Sequence, residues 1–107
     1  MRYIYLVRAG ADYKIGFSKH PEQRVKEIQT SCSEKVELIH KIPSKLSIRL
    51  HESVLHRMFA AKRKNGEWFA LNEKDVLDFP EKCMKVESSI GVLIKDNHFM
   101  KKRYDNE

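Results

Sequence analysis

The sequence predicts an α+β domain in which a small three-stranded antiparallel sheet, built in the order β-β-α-β-α, is flanked by helices. Apolar and polar residues alternate at 2–8 and 12–17, and again at 35–42, as they do in half-buried strands. Between residues 45 and 62 the apolar period changes to three or four, which is typical of a helix. A chain of 107 residues is long enough for one domain with one modest core.

The first two strands are predicted to form a β-hairpin. The segment between them, Ala9-Gly10-Ala11-Asp12, is turn-like and contains a glycine. Alternation assigns one face to the core: Ile4, Leu6, Tyr13, Ile15 and Phe17. The opposite face then carries Tyr3, Tyr5, Lys14 and Gly16. Because Gly16 has no side chain, a ligand or another backbone can come close to it.

A helix is predicted to open at Pro21, which suits the first helical position, and to end near Ser31. Its buried residues are expected at helical spacing, with Arg24 beside them: Val25, Ile28 and Cys32. The third strand is expected over residues 35–42, where the alternating residues are Val36, Leu38, His40 and Ile42. Pro43 is expected to end this strand.

The central helix is expected to begin after Ser44, a suitable N-cap, and to run to about Lys62. Its predicted buried face consists of Leu46, Leu50, Val54, Met58 and Ala61. On the other side, Glu52 and His56 lie one turn apart and point the same way, together with Lys45, Arg49 and Arg63. Such a group is either a functional site or an ordinary solvated face, and the helix alone does not decide between them.

The remainder of the chain is predicted in four pieces. Residues 62–66 form a basic turn closed by a helix-ending glycine, and residues 67–71 form a short strand or extended segment. Asn72 caps a helix that carries Val76, Leu77 and Phe79 and is disrupted at Pro80. Residues 91–99 are expected to be extended, and the polar residues 100–107 to be frayed.

Composition narrows the class of partner. The net charge is +6, from 21 basic and 15 acidic residues, which points first to a polyanion and usually to nucleic acid. No apolar run approaches the ~18 residues of a membrane helix, and the N-terminal segment lacks the features of a signal peptide. Cys32 and Cys83 lie far apart, which argues against a zinc knuckle or a disulfide framework. We therefore expect a cytoplasmic protein with no membrane partner.

An ordered set of short motifs resembles the GIY-YIG nuclease superfamily, and in particular its short, phage-type, stand-alone branch. Tyr-Lys-Ile-Gly at 13–16 is followed by Ser18, a helix-opening Pro21 and Arg24. The Glu-x-x-x-His pair, Glu52 and His56, and then Gly-Glu-Trp-Phe at 66–69 complete the set. The sequence departs from the pattern at Tyr3, which replaces the first glycine of the name, and at Lys14, which replaces the second tyrosine. The resemblance covers residues 2–79, so the chain is divided into a nuclease-like domain over 1–79 and a C-terminal extension, 80–107, that packs on it.

The resemblance implies a small endonuclease that hydrolyses phosphodiester bonds in DNA with one divalent metal, Mg²⁺ or Mn²⁺. Glu52 is then the metal ligand, and Arg24 binds the scissile phosphate. Tyr5 is the expected general base, with Tyr3 as its stand-in. We expect Lys14, on the same face of the sheet, to lower the pKa of Tyr5. His56 is expected to orient the water, to protonate the leaving oxygen or to hydrogen-bond Glu52.

Double-stranded DNA is the expected partner, in a bacterial cell or a phage-infected host. The residues expected to contact it are Lys14, Arg24, Arg49, Lys62, Arg63 and Lys64, with a second basic stretch at 101–103. So small a chain would gain sequence specificity from a homodimer, or else rely on many phosphate contacts. The alternatives are a non-cleaving DNA-binding module of the same fold and, more remotely, a protein-binding inhibitor.

Overall fold

The computed structural model describes residues 2–45 and 48–96, with side chains throughout except at 48–50, 65 and 90–96. The predictions made for Leu46, for the basic stretch at 101–103 and for the polar tail lie outside the described residues. The same holds for the side chains of Leu50 and Arg49. None of the helices within 2–45 and 48–96 combines the length and hydropathy that a membrane span requires.

The described residues form a five-stranded antiparallel sheet and three α-helices, in an α+β arrangement. The strands are β1 (Arg2–Ala9), β2 (Asp12–Ser18), β3 (Val36–Ser44), β4 (Arg63–Asn65) and β5 (Trp68–Phe69). The helices are α1 (Pro21–Gln29), α2 (Ile48–Met58) and α3 (Glu73–Asp96), and a 3-10 turn spans Ala60–Lys62. The order of strands across the sheet is β3-β1-β2-β5-β4. The α+β class is thus confirmed, whereas the prediction of three strands is wrong.

The two additional strands form a hairpin: β5 lies within residues 67–71, where a short strand or extended segment was expected, whereas β4 replaces part of the expected basic turn. β4 has three residues and β5 has two, too few to show an alternation. Gly66, expected to end a helix, has a φ of +58° and lies in the tight turn between them. Since Gly66 is the turn's one residue with positive φ, the turn has the character of type II′.

The β1–β2 hairpin has the predicted strands and turn. Gly10, with a φ of +62°, occupies the first central position of a two-residue loop. In its register Ile4 lies opposite Phe17 and Leu6 opposite Ile15, so the expected core face is confirmed. Phe17 is the exception, because it is 36% exposed.

Both faces of the sheet are covered by helices. Helices α2 and α3 pack on one face, where Leu55 and Phe79 meet the core residues of the first hairpin. Helix α1 packs on the other face, where Ile28 joins Tyr5 and Val7. As predicted, α1 has Pro21 at its N-terminus and its apolar side towards the sheet.

Strand β3 changes faces at a bulge. The register against β1 shifts between Leu6, opposite His40, and Val7, opposite Leu38. Because the bulge adds one residue, Leu38 faces α1 while His40 and Ile42 face α3 and α2, although strict alternation would place them together. Pro43 does not end the strand, because β3 is an edge strand and a missing N–H is tolerated there.

The buried face of α2 is not the predicted one. The buried residues are His51 and Leu55, with Phe59 directly after the helix. Of the predicted face, Val54 is partly buried against the core, whereas Met58 is 47% exposed. Nδ1 of His51 shares a 3.1 Å hydrogen bond with Oγ of Ser44, while its buried Nε2 has no hydrogen-bond partner of good geometry within the described residues. Ser44 therefore ends β3 and contacts His51 rather than capping α2, which begins four residues later.

Helix α3 is continuous through Pro80, contrary to the expected disruption. Pro80 has no N–H to donate to the carbonyl of Val76, which would leave that carbonyl without its helical partner. Nε2–H of His40 donates to this oxygen instead, at 2.8 Å, and the His40 ring stacks on Phe79. A side chain of the sheet thus replaces the missing bond, and the helix continues to Asp96, where an extended segment from Gly91 was expected.

The start of α3 is capped as predicted. The N–H of Asp75 donates to Oδ1 of Asn72 at 2.8 Å, and the N–H of Asn72 donates to Oδ2 of Asp75 at 3.0 Å. Lys62 forms an ion pair with the same Asp75 carboxylate. Burial alone would raise the pKa of Asp75, but these bonds hold it below its ordinary value.

Candidate functional site

Functional side chains converge at the edge of β2, beyond the end of β5. Strand β5 pairs with β2 only at Tyr13 and Lys14. At the next residue the imidazole of His56, from α2, donates from Nε2 to the carbonyl oxygen of Ile15, at 2.9 Å. Side chains from both faces of the sheet can therefore meet at this edge.

Tyr5 reaches the edge by lying across Gly16. The two residues are directly opposite in the β1–β2 register. A Cβ built on Gly16 would lie 2.3 Å from Oη and 2.4 Å from Cζ of Tyr5, far closer than a real contact. The close approach expected at Gly16 is therefore present, and the group that approaches is the phenol of Tyr5.

Arg24 of α1 contacts the Tyr5 hydroxyl. The guanidinium hydrogen-bonds this hydroxyl and also donates from Nη1 to Oε2 of Glu27, at 2.8 Å. The Arg24 side chain is 42% exposed, so it can also contact a molecule from solution. Arg24 thus contacts Tyr5 at the site and at the same time forms an exposed ion pair with Glu27.

The pKa of Tyr5 lies above its ordinary value of 10.0, mainly because burial disfavours the phenolate. Arg24 opposes this rise through its hydrogen bond and its charge, and the carboxylates of Glu67 and Glu52 add to it. The expected lowering by Lys14 is wrong for the protein alone, because the cation at the hydroxyl is Arg24 and burial prevails. Tyr5 is a neutral phenol at pH 7.

Three side chains direct potential metal ligands towards one point: Glu52, His56 and Glu67. One ligand atom of each lies within 4.8 Å of the other two. Glu52 and His56 come from successive turns of α2 and are half-buried, and Glu67 comes from the β4–β5 turn, where its side chain is 47% exposed. The sequence indicated the first two through their spacing. Glu67 was not among the predicted site residues, because the pairing of β4 with β5 that brings it close to α2 was not predicted.

The contacts of His56 determine which of its nitrogens can bind a metal. Because a carbonyl oxygen can only accept, Nε2 must carry the proton in the bond to Ile15, which leaves the lone pair of the neutral ring on Nδ1. Nη2 of Arg63 lies 3.2 Å from that Nδ1. The edge of the ring also packs on Phe69, with centroids 5.2 Å apart. Metal-binding histidines typically donate their other ring N–H to a carbonyl or carboxylate in this way, which fixes the tautomer.

Lys14 supports the third ligand. Its ammonium lies 3.2 Å from Oε2 of Glu67, and the Lys14 side chain is only 13% exposed. The same ammonium is 6.0 Å from the ring centroid of Trp68. Lys14 therefore orients Glu67, while Arg24 is the cation that contacts Tyr5.

The other predicted residues lie around this group rather than in it. Tyr3 packs against Lys41, whose ammonium is 5.1 Å from the phenol centroid, on the β3 side of the sheet. Lys62 pairs with Asp75 and Lys64 with Asp12, while Arg63 turns towards His56. These three cations therefore point in different directions and do not form the continuous phosphate track that the sequence indicated.

The comparisons with known proteins give one family. A model of the T5orf172 domain matches residues 2–88, and no GIY-YIG model matches. The resemblance to the GIY-YIG superfamily is therefore wrong as an assignment, since motifs as short as Tyr-x-Tyr and Lys-Ile-Gly are not specific. Searches of the curated proteins and of the solved structures find no match. T5orf172 domains are found in phage- and mobile-element-associated proteins that are often endonuclease-like. Because the matched region spans most of the chain, this protein belongs to the T5orf172 domain family.

Proposed function

We propose that this chain is a divalent-metal-dependent DNA endonuclease whose active site is the group at the edge of β2. The observation that carries the proposal is the convergence of Glu52, His56 and Glu67 within 4.8 Å, next to the hydrogen-bonded Tyr5–Arg24 pair. Possible ligands for a cation, a donor for a phosphate and an ionisable hydroxyl thus occur together. These three elements together suit metal-assisted hydrolysis of a phosphodiester.

The ligand set fits a hard divalent cation. Carboxylate oxygens suit Mg²⁺ and Mn²⁺, and an imidazole nitrogen is also a ligand for Mn²⁺. Donors on one octahedral ion at ~2.1 Å are ~3.0 Å apart when adjacent and ~4.2 Å apart when opposite. The three ligand atoms, which lie within 4.8 Å of one another, would therefore have to close in around the ion. Arg63 is exposed and can leave Nδ1 of His56 to make room. A cation bound there would polarise a phosphoryl oxygen and lower the pKa of water.

Arg24 is proposed to bind the scissile phosphate. Its planar fork of donors matches two phosphoryl oxygens, and its exposed face is accessible from solution. Contact with a phosphate would replace the ion pair with Glu27, which is an exposed pair of small energetic value. The hydrogen bond to Tyr5 holds the guanidinium next to the cluster during this exchange.

Tyr5 is proposed to accept a proton from the attacking water. Neutralising Glu52 and Glu67 removes two of the three causes that raise the pKa of Tyr5, and the lowering by Arg24 persists. A bound cation would therefore bring the pKa of Tyr5 closer to its ordinary value, while burial, the largest cause of the rise, remains. Tyr3, held against Lys41 by its ring contact, is less well placed for this role.

The overall charge of +6 supports DNA as the partner, although the cations nearest the site are paired with carboxylates. Each chain has one proposed active site, which can contact one DNA strand at a time. We therefore expect a single copy to nick duplex DNA, and a cut through both strands to require a homodimer or two independent events.

The test is cleavage of supercoiled plasmid with Mg²⁺ or Mn²⁺, compared with EDTA. Wild type should nick the plasmid only with metal, and Glu52→Gln should reduce the rate at least ~10²-fold. The matched control is Glu81→Gln on α3, which removes an exposed carboxylate paired with Lys85 and should leave the rate unchanged.

Full activity of Glu52→Gln would refute the proposed centre. If wild type does not cleave but retains DNA in a salt-sensitive manner, the alternative of a non-cleaving DNA-binding module holds instead. The raised pKa of Tyr5 is the observation that favours this alternative, since it leaves the protein alone without an ionised base.

A further inference from the structure

An open cavity of about 520 Å³ lies next to the proposed active site, on the α1 face of the sheet. It is bordered by the first hairpin, by the β4–β5 hairpin and by the segment that follows α1. Lys14 and Arg24 belong to its wall as well as to the site, so the two are continuous. The volume is in the range of cavities that hold small ligands.

Trp68 gives this cavity an aromatic surface. It is half-buried, with part of the indole packed against the α1-side core and part in the cavity wall. It is also the one tryptophan of the sequence. A partly exposed aromatic ring in a cavity that also contains an arginine is a surface on which an unpaired base can stack.

The cavity wall contains paired positive and negative side chains rather than the unpaired cations of a phosphate-binding pocket. Lys14 is paired with Glu67, Arg24 with Glu27, and Lys64 with Asp12. The cavity wall therefore offers both hydrogen-bond donors and hydrogen-bond acceptors, and the hydroxyls of Ser31 and Ser33 can act as either. A nucleobase presents donors and acceptors along its edge and a flat surface for stacking, and carboxylates accept from its exocyclic amines.

We propose that this cavity is a nucleobase pocket that holds an unpaired base next to the phosphate on Arg24. The preferred substrate class is then DNA with an unpaired nucleotide, either single-stranded or extruded from a duplex. The position of the phosphate rests on the proposed function, whereas the pocket itself rests on Trp68 and its surrounding wall.

The fluorescence of Trp68 tests the pocket without any cleavage. With EDTA present, we would titrate the protein with a single-stranded pentadeoxynucleotide and with an abasic chain of the same number of phosphates. The pentadeoxynucleotide should quench the emission in a saturable manner, and the abasic chain should bind about tenfold more weakly. Equal binding of the two, or no quenching by either, would overturn the proposal.

Cys32 provides a second, independent measurement. It is half-buried in the cavity wall, whereas Cys83 is fully buried and its pKa is raised to about 12, so a thiol reagent should react selectively at Cys32. The pentadeoxynucleotide should slow this alkylation and the abasic chain should not. In Trp68→Leu the protection should be lost. If that variant does not fold, Trp68→Phe, which keeps a stacking ring, should retain the protection.

The nuclease proposal and the pocket proposal can be refuted independently of each other. Base-dependent quenching without metal-dependent cleavage of either plasmid or single-stranded DNA would leave the pocket standing and refute the nuclease. Metal-dependent cleavage with equal binding of the abasic chain would refute the pocket alone.

Discussion

Gly16→Ala tests whether the backbone of β2 positions the phenol of Tyr5 for chemistry. The added methyl group would lie 2.3 Å from Oη and 2.4 Å from Cζ of Tyr5. Gly16 has no positive φ, so the backbone itself accepts an alanine. The whole effect of the substitution must therefore act through the tyrosine ring.

The magnitude follows from these distances. Carbon atoms pack at about 3.5 Å or more, so the ring must move by roughly 1 Å. Tyr5 is 2% exposed, and the tightly packed surroundings leave it little room to do so. We expect overpacking to lower the free energy of unfolding by about 1–3 kcal/mol. A displacement of ~1 Å at a reacting group is expected to reduce the cleavage rate about 10²-fold.

The assay is a double-mutant cycle of plasmid nicking rates with Tyr5→Phe, which removes the hydroxyl and keeps the ring. If Gly16 acts through that hydroxyl, Gly16→Ala should cost about 10²-fold in wild type and much less in the Tyr5→Phe background. Equal costs in both backgrounds, or full activity of Gly16→Ala, would refute the reasoning. Thermal unfolding of each variant separates loss of activity from loss of fold.

Three further predictions concern other parts of the structure. Arg24→Lys should lower kcat/KM for cleavage about 10²-fold, because an ammonium lacks the planar fork of donors. The control is Arg8→Lys, which changes an equally exposed arginine paired with Glu37 and should leave kcat/KM unchanged. His40→Leu should lower the free energy of unfolding by about 1–3 kcal/mol in urea titrations. The loss should be clearly smaller in a Pro80→Ala background, because the N–H of Ala at position 80 can donate to the carbonyl of Val76. Burial, opposed by Glu87, lowers the pKa of His51 below its ordinary 6.5, so the unfolded chain binds the proton more readily than the folded chain does. The free energy of unfolding should therefore fall as the pH drops below about 6.5, and His51→Gln should reduce this pH dependence.

The elements that the sequence predicted best are those with strong local signals. Gly10 with its flanking alternations predicts the first hairpin, and Pro21 predicts the start of α1, because each acts on the backbone next to it. The spacing of Glu52 and His56 likewise places them together, since it depends only on the helical period.

The wrong predictions have a common cause, which is that tertiary contacts override the local pattern. His51 is buried where Ser44 hydrogen-bonds to its Nδ1, while Met58, which the apolar spacing assigns to the buried face, is exposed. Pro80 is tolerated within a helix because His40, a residue of the sheet, bonds to the freed carbonyl. Neither Ser44 nor His40 can be identified as the hydrogen-bond partner from the sequence of the helix that it contacts.

The candidate site shows the same limit. Alternation places Tyr5 and Lys14 on one face, as the register confirms, but it does not show that Arg24 is the cation on the hydroxyl. Glu67 joins the site only through a hairpin of two very short strands. Short strands depend on their neighbours for stability, and this leaves little signal in their own residues.

The most direct test of the central claim is Mn²⁺ binding, followed by the electron paramagnetic resonance signal of the free ion. We expect one Mn²⁺ site per chain, with the affinity reduced at least ~10-fold in Glu52→Gln and in Glu67→Gln and unchanged in Glu81→Gln. A wild-type chain that binds no Mn²⁺, or four proteins that bind it equally, would contradict a metal centre at the edge of β2.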